Sequence, residues 1–120
     1  MKSKEAVRAL GALAQETRLA IYRLLIERGP QGMTAGNIAT ALEILPATLS
    51  FHLKELSAAG LLEARTESRF IFYSARFDRM NELLGFLTAN CCGGNPCTPV
   101  SVCAPVSSPV RAQRTVKAKV

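Results

Sequence analysis

Residues 46–56 read PATLSFHLKEL, and this stretch decides how the rest of the chain is interpreted. Proline is favoured in the first turn of a helix, so the segment predicts the start of a helix that Gly60 ends. Leu49, Leu53 and Leu56 are spaced four and three residues apart, which places them on one face. We expect this face to point into the core and the opposite face to be available to a partner.

A shorter helix precedes this one. Thr34 suits the N-cap position of a helix over about residues 35–42, and a turn of about three residues then leads to the helix over about residues 46–59. Two helices with such a short connection have helix-turn-helix spacing. The spacing alone is not specific, because other helical hairpins share it.

Two strand candidates follow directly. Residues 69–75 are rich in aromatic side chains and have clear β character, whereas residues 61–66 are assigned mainly from their position beside them. Glu67 and Ser68 are expected to form the short turn between the strands. A hairpin placed directly after the second helix of the pair is a wing.

Three further helices complete the prediction. Residues 4–14 and 16–28 have helical spacing, and Gly29-Pro30 ends the second of these helices. In residues 16–28 we expect an inward stripe formed by Leu19, Ala20, Leu24 and Leu25. The last helix is predicted from about residue 78 to 89. The expected fold is therefore mainly α with a small β-hairpin, a winged helix-turn-helix.

Small polar residues on the outer face of the helix over residues 46–59 suit a position deep in the major groove of DNA. Lysine and arginine nearby would neutralise backbone phosphates. The candidate DNA-binding residues are Ala47, Thr48, Ser50, Phe51, His52, Lys54, Arg65 and Arg69. Two interpretations of His52 stay open: a histidine hydrogen-bonded at the edge of the core, or a DNA contact.

The net charge of +6 is divided unevenly over the 120 residues. Residues 1–90 contribute +2 (eleven basic and nine acidic residues), and residues 91–120 contribute +4 (four basic residues and no acid). The predicted folded part is thus only mildly basic, and charge alone does not establish a nucleic-acid partner. No apolar run is as long as a membrane span, and the N-terminal sequence is not typical of a signal peptide. We expect a cytoplasmic protein without a membrane partner.

The stretch Thr48 to Leu56, followed by Ala59-Gly60-Leu61-Leu62 and the hairpin, resembles the ArsR/SmtB family of metalloregulatory repressors over about residues 5–90. The resemblance implies a homodimer formed through the first and last helices. It also implies that each recognition helix contacts half of a palindromic operator in double-stranded DNA. Members of the family occupy the promoter of a resistance operon and leave it when metal binds.

Two ligand sites known in the family are missing from this sequence. The helix over residues 35–42 contains no cysteine, whereas the original arsenic site of the family is a cysteine cluster in that helix. Asp78 is followed by Met80 where the zinc-type site needs a histidine. If this protein senses a metal, its ligands lie elsewhere.

All four cysteines fall within thirteen residues near the C-terminus. Soft ions prefer thiolates, and trivalent arsenic takes three of them. Cys91 and Cys92 would supply two sulfurs from the end of the last helix, and residues 93–96 are expected to be flexible enough to return Cys97 to them, with Cys103 as a substitute. This arrangement resembles the arsenic-responsive branch of the family, in which three cysteines follow the last helix.

Taken with the resemblance, these observations predict an arsenic(III)-responsive repressor. Its release from the operator by arsenite, antimonite or a methylated arsenical is what the resemblance implies. A zinc-, cadmium-, lead- or redox-responsive repressor of the same fold is an alternative, and a thiol-rich carrier without DNA function is an alternative of another class. No nucleophile–base set or phosphate-binding loop is recognisable, so we expect neither enzymatic activity nor a catalytic cofactor. The expected organisation is a winged-helix domain over residues 1–90, a cysteine-rich metalloid-binding segment over 91–104 and a flexible basic tail over 105–120.

Overall fold

The structure, a computed structural model, describes residues 1–94, and for Cys92 and Gly94 it describes the backbone alone. Of the expected cysteine-rich segment over 91–104, only residues 91–94 are described, and the expected tail over 105–120 lies outside this range. The elements in chain order are α1 (Ser3–Leu13), α2 (Glu16–Arg28), β1 (Met33–Thr34), α3 (Ala35–Leu42), α4 (Pro46–Ala58), β2 (Leu62–Glu67), β3 (Phe70–Ala75), α5 (Phe77–Leu87) and a 3₁₀ turn (Cys91–Gly94). The winged helix-turn-helix fold is confirmed. No helix among residues 1–94 has the length and apolarity needed to cross a membrane.

Local signals place the ends of most helices correctly. The Thr34 side chain accepts a hydrogen bond from the Asn37 backbone N–H at 3.2 Å, which caps α3. Pro46 occupies the first turn of α4. At the end of α2, Gly29 adopts a φ of 90°, a conformation that side chains disfavour, and its N–H bonds to the Leu25 carbonyl.

The core lies between α2, α3, α4 and the sheet. Its fully buried large side chains are Ile21, Leu25, Ile38, Leu49, Leu56 and Leu61. The prediction that Leu49, Leu53 and Leu56 point inward is confirmed.

The predicted inward stripe of α2 is correct for Leu25, which is buried, and for Leu24, which packs against the core, but wrong for Leu19 and Ala20. The buried residues of this helix are Ile21, Tyr22 and Leu25, whereas Leu19 is 43% exposed and Ala20 is exposed. Apolar residues occur on several sides of α2, so spacing alone did not identify the face that packs on the core. Leu19 instead lines an open apolar hollow with Met80 of α5.

The sheet has a third strand that the sequence did not suggest. Its order is β1-β3-β2, and both pairings are antiparallel. Met33 pairs with Tyr73, so the segment between α2 and α3 is attached to the wing. Glu67 pairs with Phe70, so the hairpin turn consists of Ser68 and Arg69 rather than Glu67 and Ser68.

Gly32 generates a first prediction, because it allows β1 to approach β3. Its φ is +74°, and a Cβ at this position would lie 2.5 Å from the backbone oxygen of Tyr73. The substitution Gly32→Ala is expected to lower the free energy of unfolding by at least about 2 kcal/mol, because both the backbone conformation and the contact disfavour it. Urea unfolding followed by circular dichroism measures this change.

Gly36→Ala is the matched control. Gly36 lies in α3, and a Cβ there meets nothing within 4 Å. Alanine should leave stability unchanged or raise it by up to about 1 kcal/mol. Equal unfolding midpoints for the two variants would contradict this account of β1.

Candidate nucleic-acid interface

Helix α4 separates into a buried face and an exposed face. Leu49, His52, Leu53 and Leu56 are buried. The opposite side carries the predicted DNA-binding residues Ala47, Thr48, Ser50, Phe51 and Lys54, all of which are exposed. The structure therefore brings five of the eight sequence-predicted residues onto one continuous helix surface.

The N-terminus of α4 is not capped by a side chain. Leu45 occupies the N-cap position with extended backbone and forms no side-chain cap hydrogen bond. The backbone N–H groups of Ala47 and Thr48 have no acceptor within the helix, because the first turn of any helix leaves such donors unsatisfied. Together with the helix dipole, these donors favour an anionic group such as a phosphate.

The turn between α3 and α4 holds this N-terminus beside α3. Glu43 ends α3 in the left-handed conformation with φ 54°, and its N–H bonds to the Ala39 carbonyl. The Ile44 N–H bonds to the same carbonyl at 3.0 Å. Residues 43–45 thus form the three-residue turn expected from the sequence.

His52 belongs to the buried face of α4. It is 8% exposed, and its Nδ1 lies 3.4 Å from Nη1 of Arg18. Because a guanidinium only donates, this contact is a hydrogen bond in the tautomer whose Nδ1 accepts. Of the two interpretations of His52, the structure favours a histidine hydrogen-bonded at the edge of the core.

Arg18 and Arg8 are functional candidates that sequence reasoning missed. Arg18 Nε donates to the Ala12 carbonyl at 2.7 Å, and Arg8 Nε donates to the Ala58 carbonyl at 3.3 Å. Both acceptors lie in the last turn of a helix, where carbonyls lack helical partners. The two arginines therefore connect α1, α2 and α4. Arg8 lies in the middle of α1 and Arg18 in the first turn of α2, and neither position reveals its partner in the sequence.

Arg65, a predicted phosphate contact, also has a structural role. It donates to the carbonyls of Pro30 and Gln31 at 3.3 and 2.8 Å and to Glu67 at 2.7 Å. Its guanidinium also lies 5.2 Å from the centre of the Phe72 ring. Two of its five donors therefore attach the α2–β1 connection to the wing and a third is used by Glu67 of the same strand, although the side chain is 40% exposed. Phosphate binding by Arg65 stays a prediction.

Positive charge extends from α4 to the tip of the wing. Lys54 is exposed on the outer face of α4, and Arg69 is exposed in the hairpin turn. The acidic residue of α4, Glu55, lies on another side, where it lines a hollow with Arg8 and Arg18. The outer face of α4 thus has the charge that a DNA backbone attracts.

The described part of the cysteine segment begins just beyond α5. The Cys91 N–H bonds to the Thr88 carbonyl at 3.1 Å, and Asn90 adopts a left-handed φ of 57°. Cys91 is exposed, whereas Cys97 and Cys103 lie outside the described residues. Among the side chains that the structure describes in residues 1–94, which do not include that of Cys92, no three of His, Cys, Asp or Glu are grouped as metal ligands.

Asp78, the acidic residue at the zinc-type position, pairs with a neighbouring arginine. Nη2 of Arg76 lies 2.9 Å from Oδ2 of Asp78. This hydrogen bond lowers the pKa of Asp78 below its usual value. The carboxylate therefore already has a cationic partner on the surface.

Comparison with known proteins supports a regulatory role. A helix-turn-helix domain family matches residues 13–65. The chain is 37% identical over 89 residues to YceK of Bacillus subtilis, an uncharacterized HTH-type transcriptional regulator, covering 72% of this chain and 88% of that protein. It is 30% identical over 93 residues to the transcriptional activator HlyU of Vibrio cholerae, covering 78% and 83%.

Solved structures agree with these relatives. An ArsR-like transcriptional regulator from Rhodococcus sp. RHA1 has a TM-score of 0.64 and 31% identity, covering 70% of this chain and 76% of that one. The homodimeric winged helix-turn-helix domain Mb0332 of Mycobacterium bovis, a possible ArsR-family regulator, has a TM-score of 0.57 and 29% identity, covering 80% and 89%. The chain therefore belongs to the ArsR/SmtB family of winged helix-turn-helix transcriptional regulators.

Proposed function

We propose that this regulator is a homodimeric repressor that binds a palindromic operator of a resistance operon and releases it when trivalent arsenic binds Cys91, Cys92 and Cys97. The observation that carries the proposal is the position of the cysteines. The adjacent pair begins a turn directly after α5, and Cys97 and Cys103 follow within the next eleven residues.

The donor set fits a soft ion. Four thiols without a neighbouring histidine or carboxylate in residues 91–103 favour arsenic(III) over harder ions. Cys91 is exposed, so an ion reaches its sulfur from solvent. Gly93 has a φ of 69°, a conformation that lets the backbone change direction just after the pair. When bound, arsenic would share its three bonds among these thiolates and tie the segment to the end of α5.

A dimer through α1 and α5 is supported by their exposed apolar residues. Val7 and Leu10 of α1 are 66% and 41% exposed, and Phe86 and Leu87 of α5 are 38% and 54% exposed. Burying these side chains against a second copy stabilises the dimer through the hydrophobic effect. The M. bovis relative is described as homodimeric. Two recognition helices then meet successive major grooves about 34 Å apart.

A chain of contacts links the cysteines to the recognition helix. Cys91 follows α5, and Arg79 of α5 lies 4.0 Å from Glu5 of α1. Arg8 and Arg18 in turn connect α1 to α4. Arsenic binding at the end of α5 would change the position of α1, and these arginines would transmit the change to α4. Allosteric couplings of about 1–3 kcal/mol weaken binding about 5- to 150-fold.

A redox-responsive repressor is the second candidate. It is favoured by the exposure of Cys91 beside Cys92, since accessible thiols are the ones that oxidise. One structure similar to this chain, with a TM-score of 0.57, is described as reduced HlyU from Vibrio cholerae. The arsenite experiment below separates this candidate from the first.

The dimer predicts a specific effect of charge at Phe86. The substitution Phe86→Glu is expected to shift the protein from dimer to monomer, because a carboxylate would be buried between two apolar helices. Size-exclusion chromatography with light scattering measures the mass. Phe70→Glu is the control, since Phe70 is 56% exposed but lies in the wing. A dimer that survives Phe86→Glu and dissociates on Phe70→Glu would contradict this interface.

The arsenic site predicts a ligand-specific loss of DNA binding. Fluorescence anisotropy of a promoter duplex is measured under reducing conditions with arsenite, with zinc and without metal. We expect arsenite to weaken binding at least about 5-fold, a coupling at the lower end of the usual range. Cys91→Ser, Cys92→Ser and Cys97→Ser should abolish the response while keeping DNA affinity, whereas Cys103→Ser should preserve it.

The same assay distinguishes the alternatives. Release by an oxidant such as diamide, with no effect of arsenite on the reduced protein, would support the redox candidate. Release by zinc but not by arsenite would indicate that the inducer is a divalent ion rather than arsenic. If the protein binds DNA selectively and none of these agents changes the affinity, the sensor function is contradicted. The role as a DNA-binding regulator then stands.

The proposed path predicts a role for Arg18 in the response. Arg18→Lys keeps the positive charge but loses the planar fork that contacts Ala12 and His52 together. We expect the ratio of DNA affinities without and with arsenite to fall about threefold or more, since coupling residues change such free energies by about 0.5–2 kcal/mol.

Arg23→Lys is the control on the same helix, because Arg23 is exposed. A simple loss of stability in Arg18→Lys would lower both affinities and leave their ratio unchanged. An unchanged ratio in Arg18→Lys therefore argues against transmission through this residue.

A further inference from the structure

Two large apolar side chains lie on the surface that carries the DNA-binding candidates. Phe51, in the middle of the outer face of α4, is 55% exposed, and Leu45, directly before α4, is 74% exposed. Neither belongs to the core, and each leaves apolar area in water. Because both side chains lie at the recognition helix, we expect the partner of this surface to offer apolar groups among polar ones.

The surroundings of Phe51 indicate that this partner is nucleic acid. The outer face of α4 also presents Thr48, Ser50 and Lys54, which are exposed, and its acidic residue Glu55 faces the hollow beside Arg18. A polar, positively charged rim around an aromatic side chain suits an anionic surface that has apolar features. The patch is also continuous with the family's recognition helix, which enters the major groove.

The major groove offers one apolar feature, the C5-methyl group of thymine. Alanine and phenylalanine are among the residues that contact it. Ala47 precedes Phe51 by four residues, so the two side chains are neighbours on one helix face, with Cβ atoms about 6 Å apart. This separation spans about two base-pair steps of about 3.4 Å.

The Phe51 ring is supported by its neighbour. Its centre lies 5.6 Å from the centre of the His52 ring in an edge-on arrangement with an angle of 63°. His52 is itself buried and contacts Arg18. The ring therefore rests on a fixed part of the core, which limits the entropy lost on binding.

We infer that Phe51, with Ala47 one turn earlier and Leu45 at the helix start, contacts thymine methyl groups in each half of the operator. These contacts determine which bases the protein selects at the centre of each half-site. The inference rests on the DNA-binding part of the proposed function and is independent of arsenic.

The test removes methyl groups from DNA one at a time. Duplexes are enriched from a randomised library with the full-length, arsenic-free protein, and each thymine of the best duplex is then replaced by deoxyuridine, which lacks only the methyl group. At one or two positions of each half-site, wild-type binding should weaken about fourfold for each methyl group removed. Fluorescence anisotropy measures both affinities.

Variants identify the side chain responsible. Phe51→Ala should bind the thymine duplex more weakly and lose its sensitivity to uracil at those positions, whereas Phe51→Leu should keep part of it. Ser57→Ala, at an exposed position of α4 outside the set of DNA-binding candidates, should keep full sensitivity. Because Phe51 is half exposed, circular dichroism and the unfolding midpoint of Phe51→Ala should match the wild type.

The possible failures are distinguishable. Enriched half-sites without thymine, or equal uracil effects in the wild type and Phe51→Ala, would overturn the thymine contact while the DNA-binding function stands. Failure to enrich any duplex would contradict DNA binding itself and the thymine contact with it.

Discussion

The packing of one face of α4 against the core is the constraint on which the rest of the structure depends. Leu49, Leu53 and Leu56 are buried against a core that includes Ile21 and Ile38. Burial of each leucine contributes about 1.5–3 kcal/mol, so rotating α4 about its axis would cost several kcal/mol. Since a helix is rigid, fixing this face also fixes the direction of the opposite face. The DNA-binding surface is therefore a consequence of core packing.

Arginine side chains that donate to carbonyls at or just beyond the ends of helices provide the second organising feature. Arg8 and Arg18 donate to carbonyls in the last turns of α4 and α1, and Arg65 donates to the connection between α2 and β1. The contacts of Arg8 and Arg65 join elements that are distant in sequence, with separations of 50 and 34 residues, whereas the contact of Arg18 with Ala12 joins two consecutive helices. Such contacts hold α1, the wing and α4 in one arrangement. In the proposed mechanism, a change of position at the end of α5 would be transmitted through them to the DNA-binding surface.

Family membership and ligand identity rest on different parts of this chain. The helix-turn-helix and the wing carry the similarity to YceK, HlyU and the Rhodococcus regulator. Of the relatives, HlyU is described as a transcriptional activator and YceK as an uncharacterized regulator, so the shared fold does not define the signal. The argument for arsenic comes from Cys91 and Cys92 at the end of α5 and from the two cysteines that follow.

The sequence by itself determined the features that depend on local chemistry. Thr34, Pro46 and the leucine spacing of α4 were sufficient to predict the helix pair and most of the outer face, because caps and periodicity act within a few residues. The β character of residues 69–75 predicted the wing. Tertiary structure alone decided that β1 joins the sheet, that Ile21 rather than Leu19 is buried, and that His52 and Arg65 contact other parts of the protein. These outcomes depend on partners distant in the chain, which no local pattern records.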